Sequence, residues 1–448
     1  MRVHEFVDEG LGHSSYVIEL SDGTAAIVDP PRFPVAQEAL IARSGWRLRW
    51  TVDTHSHADY VTGSPGLVAR RGVTFVAPAA SRLETPHRAV SDGDQVRLAP
   101  SVTLTAMATP GHTPDHHAYV LELDGAPTAL FTGGSLMVDT VGRTDLCGPD
   151  LAVPLAHEMF HSLHRFEALP DDLAVYPTHG AGSFCSAPGA AERTSSLGRE
   201  RATNSLLATV DEGAFVERLV EGFGTFPTYF GRLPEVNRRG PTRFDTLPTL
   251  PRLDPGEVAR RVAEGAIVVD ARPFASFGGG HLPASMSNTL RPVFGSWLGW
   301  LVPADTPIVF VLDPGQDRDE LVRQCLDVGH EHLVGELDGG ITSWAGTGRP
   351  LATIPVVGAD QLAGPVIDAR QANEYHSGHI PNARNIELAA LASADLDTEE
   401  TVTIMCGHGE RAMTGASILA ARGITARVLD GGPDTWASVT GRALETSS

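Results

Sequence analysis

Two histidines and an aspartate stand at alternate positions in the stretch Thr54-His55-Ser56-His57-Ala58-Asp59-Tyr60. Residues 48–53, just before it, are β-branched and aromatic and predict a strand, and the residues after it predict a helix that ends near Gly72. Alternate residues on an extended chain share a face, so His55 and His57 can point into one pocket. Neutral imidazole is the commonest metal ligand, so the pattern predicts a metal site. Two surface histidines in a loop are the alternative.

Length and composition limit the classes of protein to which this chain can belong. Its 448 residues are too many for one ordinary core and predict about three domains. The composition is globular, with 42% hydrophobic and 20% charged residues. A formal net charge of −21 argues against a nucleic-acid partner and against an anionic membrane as partner.

The N-terminal residues contain no apolar core of a signal peptide, and no apolar run approaches membrane-spanning length. The cysteines are too few and too scattered for a disulfide framework or a Cys-rich zinc site; they are Cys147, Cys185, Cys325 and Cys406. A reducing, cytoplasmic location is therefore expected.

Residues 1–240 are predicted to form the first domain. Residues 16–29 predict a hairpin that turns at Asp22-Gly23. Further strands are predicted at 74–77, 102–108, 117–123, 128–132 and 173–176. Residues of ligand type follow several of these strands, which predicts a sandwich of sheets whose loops share one active edge. A Pro-, Arg- and Gly-rich linker is predicted at 241–254.

The rest of the chain is an internal repeat. Val-Val-Asp-Ala-Arg around Asp270 recurs as Val-Ile-Asp-Ala-Arg around Asp368, and Gly-His-Leu-Pro around His281 recurs as Gly-His-Ile-Pro around His379, each pair 98 positions apart. Two like domains are predicted, at 255–352 and 353–448. The alternation of strands and helices predicts an α/β fold in each, with a small, mainly parallel sheet covered on both faces.

Four more motifs follow His55 and His57 in the first domain. They are Thr-Pro-Gly-His112-Thr-Pro-Asp-His, Phe-Thr-Gly-Gly134-Ser-Leu, Gly-Arg143-Thr-Asp-Leu, and Pro-Thr-His179-Gly-Ala-Gly-Ser-Phe-Cys185. The series resembles the metallo-β-lactamase superfamily. Within it the sequence is similar to the persulfide dioxygenases, and closest to bacterial fusions of that enzyme with two rhodanese domains. The resemblance implies an αββα sandwich followed by two rhodanese-like α/β domains.

The resemblance also implies one mononuclear Fe(II) held by two histidines and a carboxylate, with open positions for O₂ and substrate. The histidines carried over are His55 and His112. The position of the family's usual Asp is Gly134, which offers no side-chain oxygen. His57 is the nearest candidate for the third ligand, and Asp59 is another. A site of three histidines would suit Zn²⁺ as well as iron.

A second departure concerns the superfamily's binuclear zinc hydrolases, which use an Asp and a His at the end of the first motif. Here Asp59 is followed by Tyr60. Together with Gly134, this removes most of a second metal site and argues against thioester hydrolysis by two metals.

Arg143, Cys185 and His179 are expected at the substrate pocket. The Arg143 guanidinium could grip a substrate carboxylate such as that of glutathione, or form a structural ion pair with Asp145. Cys185 matches a cysteine of the fusion family near the metal and could carry or meet a persulfide; a buried, inert thiol is the alternative.

His157-Glu-Met-Phe-His161 fits the zinc-protease pattern His-Glu-x-x-His on a predicted helix. The apolar residues of the same helix explain it as a surface helix with one buried side. A second, unrelated active site in the same domain is not expected.

Residues 403–422 predict a buried strand, a Gly-rich loop that opens with cysteine, and a helix. Backbone N–H groups of the loop and the helix dipole would stabilise a thiolate at Cys406. With the flanking motifs, the segment resembles an active rhodanese domain. The catalytic residues implied are Cys406 and Arg411, and the loop residues expected to hold the transferred sulfur are Gly407, His408, Gly409 and Glu410.

The copy at 255–352 carries Asp313 where the last copy carries Cys406. Because a carboxylate cannot accept sulfane sulfur, this copy is predicted to be non-catalytic and to pack between the other domains.

The resulting hypothesis is an iron-dependent dioxygenase fused to a thiosulfate sulfurtransferase, acting in hydrogen sulfide metabolism. It would oxidise a glutathione-type persulfide to sulfite and move sulfane sulfur through Cys406, with thiosulfate or sulfite as further small-molecule partners. A homo-oligomer is compatible with the sequence. Two alternatives remain: a metal-poor first domain with only sulfur transfer surviving, and a mononuclear zinc thioester hydrolase.

Overall fold

The computed structural model describes residues 1–185, 192–396 and 400–446. The chain divides into two compact units, the first made of Met1–Leu247 with Cys325–Gly329, the second of Pro248–Gln324 with His330–Ser448. In the described part of the chain, no helix has the length and apolar character needed to cross a bilayer.

The strands of the first unit are, in chain order, β1 Arg2–Asp8, β2 His13–Glu19, β3 Thr24–Val28, β4 Arg47–Val52, β5 Thr74–Pro78, β6 Arg88–Val90, β7 Gln95–Ala99, β8 Val102–Ala108, β9 His117–Leu123, β10 Ala126–Gly133, β11 Leu136–Met137, β12 Thr140–Val141, β13 Ala174–Pro177 and β14 Ser195–Ser196. One sheet has the order β1-β2-β3-β4-β5-β6, the other the order β14-β13-β10-β9-β8-β7, and β11 pairs with β12 alone.

The helices of the first unit are α1 Val35–Arg43, α2 Ser64–Arg71, α3 Pro149–His164, α4 Leu197–Thr203, α5 Glu212–Glu221 and α6 Leu233–Arg239. Strand β2 shows how the layers form, because Tyr16 and Ile18 pack into the core between the sheets while Val17 packs outward with Leu40 and Leu67 of α1 and α2. Helices α3 and α5 cover the other sheet through a second outer core. The predicted αββα sandwich is confirmed.

Parallel pairing brings the loops with chemical residues to one edge. Strands β3 and β4 are parallel neighbours in one sheet, and β10 and β13 are parallel neighbours in the other. The carboxyl ends of parallel strands lie at the same edge, so the segments that begin at Asp29, Asp53, Gly134 and Thr178 start from shared edges of the two sheets.

The second unit contains two copies of one small fold. The first copy is β15 Arg252–Leu253, α7 Pro255–Ala263, β16 Ile267–Asp270, α8 Phe274–Gly279, β17 Met286–Ser287, α9 Phe294–Leu301, β18 Ile308–Val311, α10 Arg318–Asp327, β19 Leu333–Leu337 and α11 Gly340–Gly346. The second copy is β20 Val356–Val357, β21 Val366–Asp368, α12 Ala372–Ser377, β22 Arg384–Asn385, β23 Val402–Met405, α13 Glu410–Ala421, β24 Ala426–Leu429 and α14 Pro433–Thr440.

The two sheets of this unit have matching orders, β15-β19-β18-β16-β17 and β20-β24-β23-β21-β22, and all their strand pairs are parallel. The predicted repeat of two α/β domains is therefore confirmed.

The repeated Asp-Ala-Arg motif forms the same hydrogen bonds in both copies, between its arginine, its aspartate and the carbonyl of a later glycine. We call this set of hydrogen bonds the clasp. In the second copy, Arg370 donates from Nε to Oδ1 of buried Asp368 at 3.0 Å and from a terminal nitrogen to Oδ2 at 2.7 Å. It also donates to the carbonyl of Gly378 at 2.7 Å, which ties the end of β21 to the loop after α12. Arg272 repeats these contacts with Asp270 and Gly280.

Substituting Arg370→Met should destabilise the second copy by about 3–5 kcal/mol, because it leaves the Asp368 carboxylate buried without its cation. Amide hydrogen exchange of β21 and β23 should accelerate accordingly. Arg260→Met, which removes an exposed ion pair with Glu257 in the first copy, is the control and should leave exchange unchanged. Equal protection in both variants would show that the clasp contributes nothing to the fold.

Candidate metal centre and sulfur-transfer loop

A buried carboxylate, Asp29, ties together the loops that carry the histidines. It follows β3 with a φ of 49° and accepts hydrogen bonds from the amide and the hydroxyl of Thr54, both at 2.8 Å. It also accepts from the Thr178 hydroxyl and lies 3.1 Å from Nε2 of His57. Burial acts to raise the pKa of Asp29, but the charge of His57 and these hydrogen bonds outweigh it and lower that pKa. The carboxylate is thus held ionised at the meeting point of three loops.

Three imidazoles converge beside this anchor. The ring centroids of His55, His112 and His179 lie 5.0 Å (His55 to His112), 5.4 Å (His55 to His179) and 5.3 Å (His112 to His179) apart. All three side chains are buried. The structure therefore brings together residues from the loops after β4, β8 and β13 into one nearly equilateral triangle.

Two of these imidazoles have a hydrogen-bond partner at Nδ1, and the third faces a carboxylate there. His55 Nδ1 lies 2.8 Å from the Thr54 hydroxyl, and His112 Nδ1 lies 2.8 Å from the carbonyl of Arg143. His179 Nδ1 lies 3.3 Å from a carboxylate oxygen of Asp59. The Nε2 atoms of His55 and His179 face each other at 3.4 Å. Outer partners that orient histidines with one nitrogen inward are the usual second layer of a metal site.

Burial keeps two of these imidazoles, those of His55 and His112, neutral. It lowers the pKa of His55 well below its ordinary value and that of His112 to about 3. A neutral imidazole has the lone pair that a metal ion needs. The donor set therefore fits a metal ion whose ligands are imidazoles.

Gly134 stands where the sequence resemblance implies a carboxylate ligand, and the His112 ring fills the space beside it. A Cβ atom added to Gly134 would lie 2.2 Å from Cδ2 of His112. The Gly134 amide donates to Nε2 of His116 at 2.9 Å, which fixes the backbone there. A side chain at position 134 and the present position of His112 are therefore incompatible.

His57 and Asp59 lie at the margin of the triangle. The His57 ring stacks on Tyr60 at 4.4 Å, and its Nε2 faces Asp29. Its Nδ1 has no hydrogen-bond partner in the described part of the chain, and one nitrogen each of His55, His57 and His179 lie within 4.8 Å of one another. Asp59 lies on the Nδ1 side of His179, where it orients that ring.

Cys185 lies at the same cluster. Its sulfur and one nitrogen each of His112 and His179 lie within 4.8 Å of one another, and its side chain is buried. Burial raises the pKa of the Cys185 thiol well above its ordinary value, and the charge of Asp59 adds to that effect. The structure thus brings the thiol to the imidazoles in its neutral form.

Arg143 takes part through its backbone carbonyl, which holds His112. Its guanidinium forms a two-pronged ion pair with Asp145, at 2.6 and 2.8 Å. It also donates to the carbonyls of Phe184 at 3.1 Å and Gly224 at 2.7 Å. These contacts favour the structural alternative for this arginine over the grip on a substrate.

Among the described residues, those of the His-Glu-x-x-His pattern on α3 are not part of any group that could hold a metal ion. His157 and His161 both face Glu212, with nitrogen–oxygen distances of 2.7 and 3.2 Å, and both are exposed. This agrees with the expectation of a surface helix.

Cys406 lies between β23 and α13 in the second unit. Its side chain is buried, and the amide of Gly409 donates to its sulfur at 3.1 Å. Gly409 has a φ of 105°, which favours glycine, and the His408 side chain is exposed. Arg411 forms a two-pronged ion pair with Glu374 at 2.6 and 2.8 Å, which fixes the start of α13. Gly407–Glu410 thus form the short loop around the sulfur.

The first copy has no such loop. The amide of Asp313 donates to the side chain of Gln316 at 2.8 Å, and Gln316 in turn donates to the carbonyl of Ala271 at 2.7 Å. Arg318 donates to the carbonyls of Asp313 and Gln316. The side chains of Gln316 and Arg318 thus bond to backbone groups of the segment that corresponds to the Cys406 loop.

Sequence reasoning did not single out Asp29 or His116, and it assigned His179 to substrate rather than to the imidazole cluster. Asp29 ends a hairpin strand and precedes two prolines, which gives no local sign of a ligand anchor. A signal for His179 did exist, since it follows a strand as His55 does.

Comparison with known proteins defines the class of this chain. The family model of the metallo-beta-lactamase superfamily matches residues 8–179, and that of the rhodanese-like domain matches residues 254–347 and 357–439. The chain is a metallo-β-lactamase-superfamily domain fused to two rhodanese-like domains.

Its relatives divide between two activities. It is 34% identical over 173 residues to the hydroxyacylglutathione hydrolase of Cupriavidus taiwanensis, across 37% of this chain and 62% of that protein. It is 34% identical over 174 residues to the mitochondrial persulfide dioxygenase of Homo sapiens, across 38% and 64%. It thus spans about three-fifths of the length of the curated relatives it matches.

A crystal structure of a metallo-beta-lactamase from Staphylococcus aureus matches with a TM-score of 0.66 at 23% identity, over 75% of this chain and 98% of that one. That protein shares the fold.

Substituting Gly134→Ala should weaken metal binding by about tenfold or more, because the new methyl group displaces the His112 ring. The measurement is metal affinity by competition with a chelator. Gly231→Ala is the control, since an added Cβ there meets no atom within 4 Å. Unchanged affinity in the Gly134 variant would mean that His112 is not a ligand in this position.

Proposed function

We propose that the first domain is an iron-dependent persulfide dioxygenase and that Cys406 carries out sulfur transfer in the same chain. The observation that carries the first part is the buried triangle of His55, His112 and His179 with a cysteine sulfur beside it. The second part rests on the sulfur of Cys406 in a loop whose backbone donates to it.

His55, His112 and His179 would hold one ion in this proposal. When bound, iron with three protein ligands supplies redox chemistry and open positions for O₂ and a sulfur ligand. The similarity to the human persulfide dioxygenase favours iron. Zinc, which also accepts three imidazoles, is the competing metal.

The proposed substrate is a small persulfide of the glutathione type. Its terminal sulfur would gain both atoms of O₂ and one oxygen from water, the sulfur–sulfur bond would break, and the products would be sulfite, the free thiol and two protons. O₂ is the oxidant. The buried Cys185 thiol would form part of the wall that the terminal sulfur meets, since its own sulfur lies beside His112 and His179.

Two positions argue against the hydrolytic activity of the other relatives. Gly134 and Tyr60 stand where binuclear hydrolases of the superfamily carry an aspartate and a histidine. Tyr60 is fully buried between His13 and His57, with its ring tilted against His13 at 4.1 Å and stacked on His57 at 4.4 Å. A second ion therefore lacks these ligands, and a one-metal oxidation is favoured over two-metal hydrolysis.

The sulfur transfer at Cys406 would consume sulfite. A persulfide on Cys406 is attacked at its outer sulfur by the sulfite sulfur, the bond to Cys406 breaks, and thiosulfate leaves with the Cys406 thiolate regenerated. The reverse reaction loads Cys406 from thiosulfate. An oxidising site and a site that uses its product are thus joined in one chain.

Substituting His112→Ala should abolish O₂ uptake on glutathione persulfide and reduce bound iron to background, because the triangle loses one corner. Purified protein expressed with added iron would be assayed for metal content and O₂ consumption. His157→Ala is the matched control, since His157 is exposed on α3 and faces Glu212.

Three results of this assay separate the competing functions. Iron with O₂ uptake supports the proposal. Zinc with cleavage of a glutathione thioester would instead establish the hydrolase, and a first domain with neither metal nor uptake would leave sulfur transfer alone.

Substituting Cys406→Ser should abolish transfer of sulfur from thiosulfate to cyanide while O₂ uptake on persulfide is kept, because only the thiolate at this position can accept sulfur. Cys147→Ser, at an exposed cysteine, is the control and should keep both activities. Transfer that survives in the Cys406 variant would assign the nucleophile to another residue.

A further inference from the structure

The non-catalytic copy reaches the catalytic loop of its neighbour within the second unit. A Cβ atom added to Gly409 would lie 2.7 Å from Cζ of Phe274, so the phenyl ring of the first copy lies directly on the backbone of the Cys406 loop. The amide of Ser287 in β17 donates to the Ser417 hydroxyl of α13 at 3.1 Å. Two separate contacts thus fix the first copy against the loop and helix that hold Cys406.

The segment after β17 starts beside α13 and leads to Arg291. It starts at Ser287 beside Ser417 and reaches Arg291, whose charge interacts with those of Glu410, Arg411 and Cys406. The seven helical positions from Ser417 back to Glu410 rise about 10 Å. The four positions from Ser287 to Arg291 span about 13 Å when extended, so the two paths have similar lengths. Arg291 therefore lies at the end of the helix where the sulfur is held.

The Arg291 guanidinium is free to meet a ligand. Within residues 1–185, 192–396 and 400–446 it forms no hydrogen bond and no ion pair, and its side chain is half-buried. Burial and the charge of Arg411 lower the pKa of Arg291, while the charges of Glu410 and Cys406 act to raise it. Arg411, by contrast, is held by Glu374.

No lysine exists in this chain, so any cation that meets an anion at Cys406 is an arginine or a histidine. The positions of the second copy that correspond to Phe274 and Arg291, at the same spacing of 98, are Ala372 and Ala389. The second copy thus has alanine at both corresponding positions. Its own arginine at the loop, Arg411, is paired with Glu374, whereas Arg291 of the first copy has no such partner among the described residues.

We propose that Arg291 binds the sulfur oxyanion, thiosulfate or sulfite, that exchanges sulfur with Cys406, so that the non-catalytic copy completes the active site of the other. This rests on the proposed sulfur transfer at Cys406. The guanidinium would donate to the oxyanion oxygens and hold the outer sulfur of thiosulfate toward the Cys406 sulfur. The sulfur–sulfur bond of thiosulfate then breaks, Cys406 gains the sulfur as a persulfide, and sulfite leaves.

Steady-state transfer from thiosulfate to cyanide by the full chain tests this assignment. Arg291→Met should raise the KM for thiosulfate by about tenfold to a hundredfold, because a hydrogen bond to a charged group is lost. Arg291→Lys should recover part of that loss. Arg260→Met, at an exposed arginine of the same copy, should leave KM unchanged. An unchanged KM in the Arg291→Met chain would overturn the proposal.

Binding without turnover separates this inference from the function on which it rests. Thiosulfate is titrated calorimetrically into the Cys406→Ser chain and into the Cys406→Ser, Arg291→Met chain. Binding that disappears in the double variant supports the oxyanion site even if the wild-type chain transfers no sulfur. Equal binding in both chains would overturn it even if transfer is active.

Discussion

The buried carboxylate of Asp29 is the interaction on which the first domain depends. An ionised carboxylate inside a protein is costly unless it is paired and hydrogen-bonded. Here Thr54, Thr178 and His57 all face it, and they come from loops of both sheets. Because the Thr54 hydroxyl also contacts Nδ1 of His55, the position of the first ligand candidate is set by the same carboxylate. The fold and the candidate metal centre thus share one anchor.

The lack of space for a side chain at Gly134 limits which residues can serve as metal ligands in this centre. His112 occupies the volume that a carboxylate side chain would need, and the Arg143 carbonyl holds it there. The carboxylate ligand that the sequence resemblance implies therefore has no space at position 134. His179, oriented by Asp59, lies where it can supply the third nitrogen. Three neutral imidazoles would leave the charge of a bound ion uncompensated, which would favour an anionic sulfur ligand.

The features that depend on residues close together in the sequence were the ones that the sequence predicted. The bounds predicted for the strands at 102–108 and 117–123 coincide with β8 and β9, because alternation and flanking turns fix both. The repeat and the Cys406 loop were predictable from motifs that are contiguous in the chain. The convergence of His55 with His179, 124 positions apart, depends on sheet pairing that no local pattern encodes. Asp29 and Arg291 were missed for the same reason, since each acts on a loop distant in sequence.

Anomalous X-ray diffraction at the iron edge, on crystals of the iron-loaded full chain, tests the central claim most directly. A centre of three histidines would give a single peak in the first domain, within bonding distance of Nε2 of His55, His112 and His179 and with no carboxylate in contact. A peak bound by Asp59, a pair of peaks, or no peak among these histidines would contradict it.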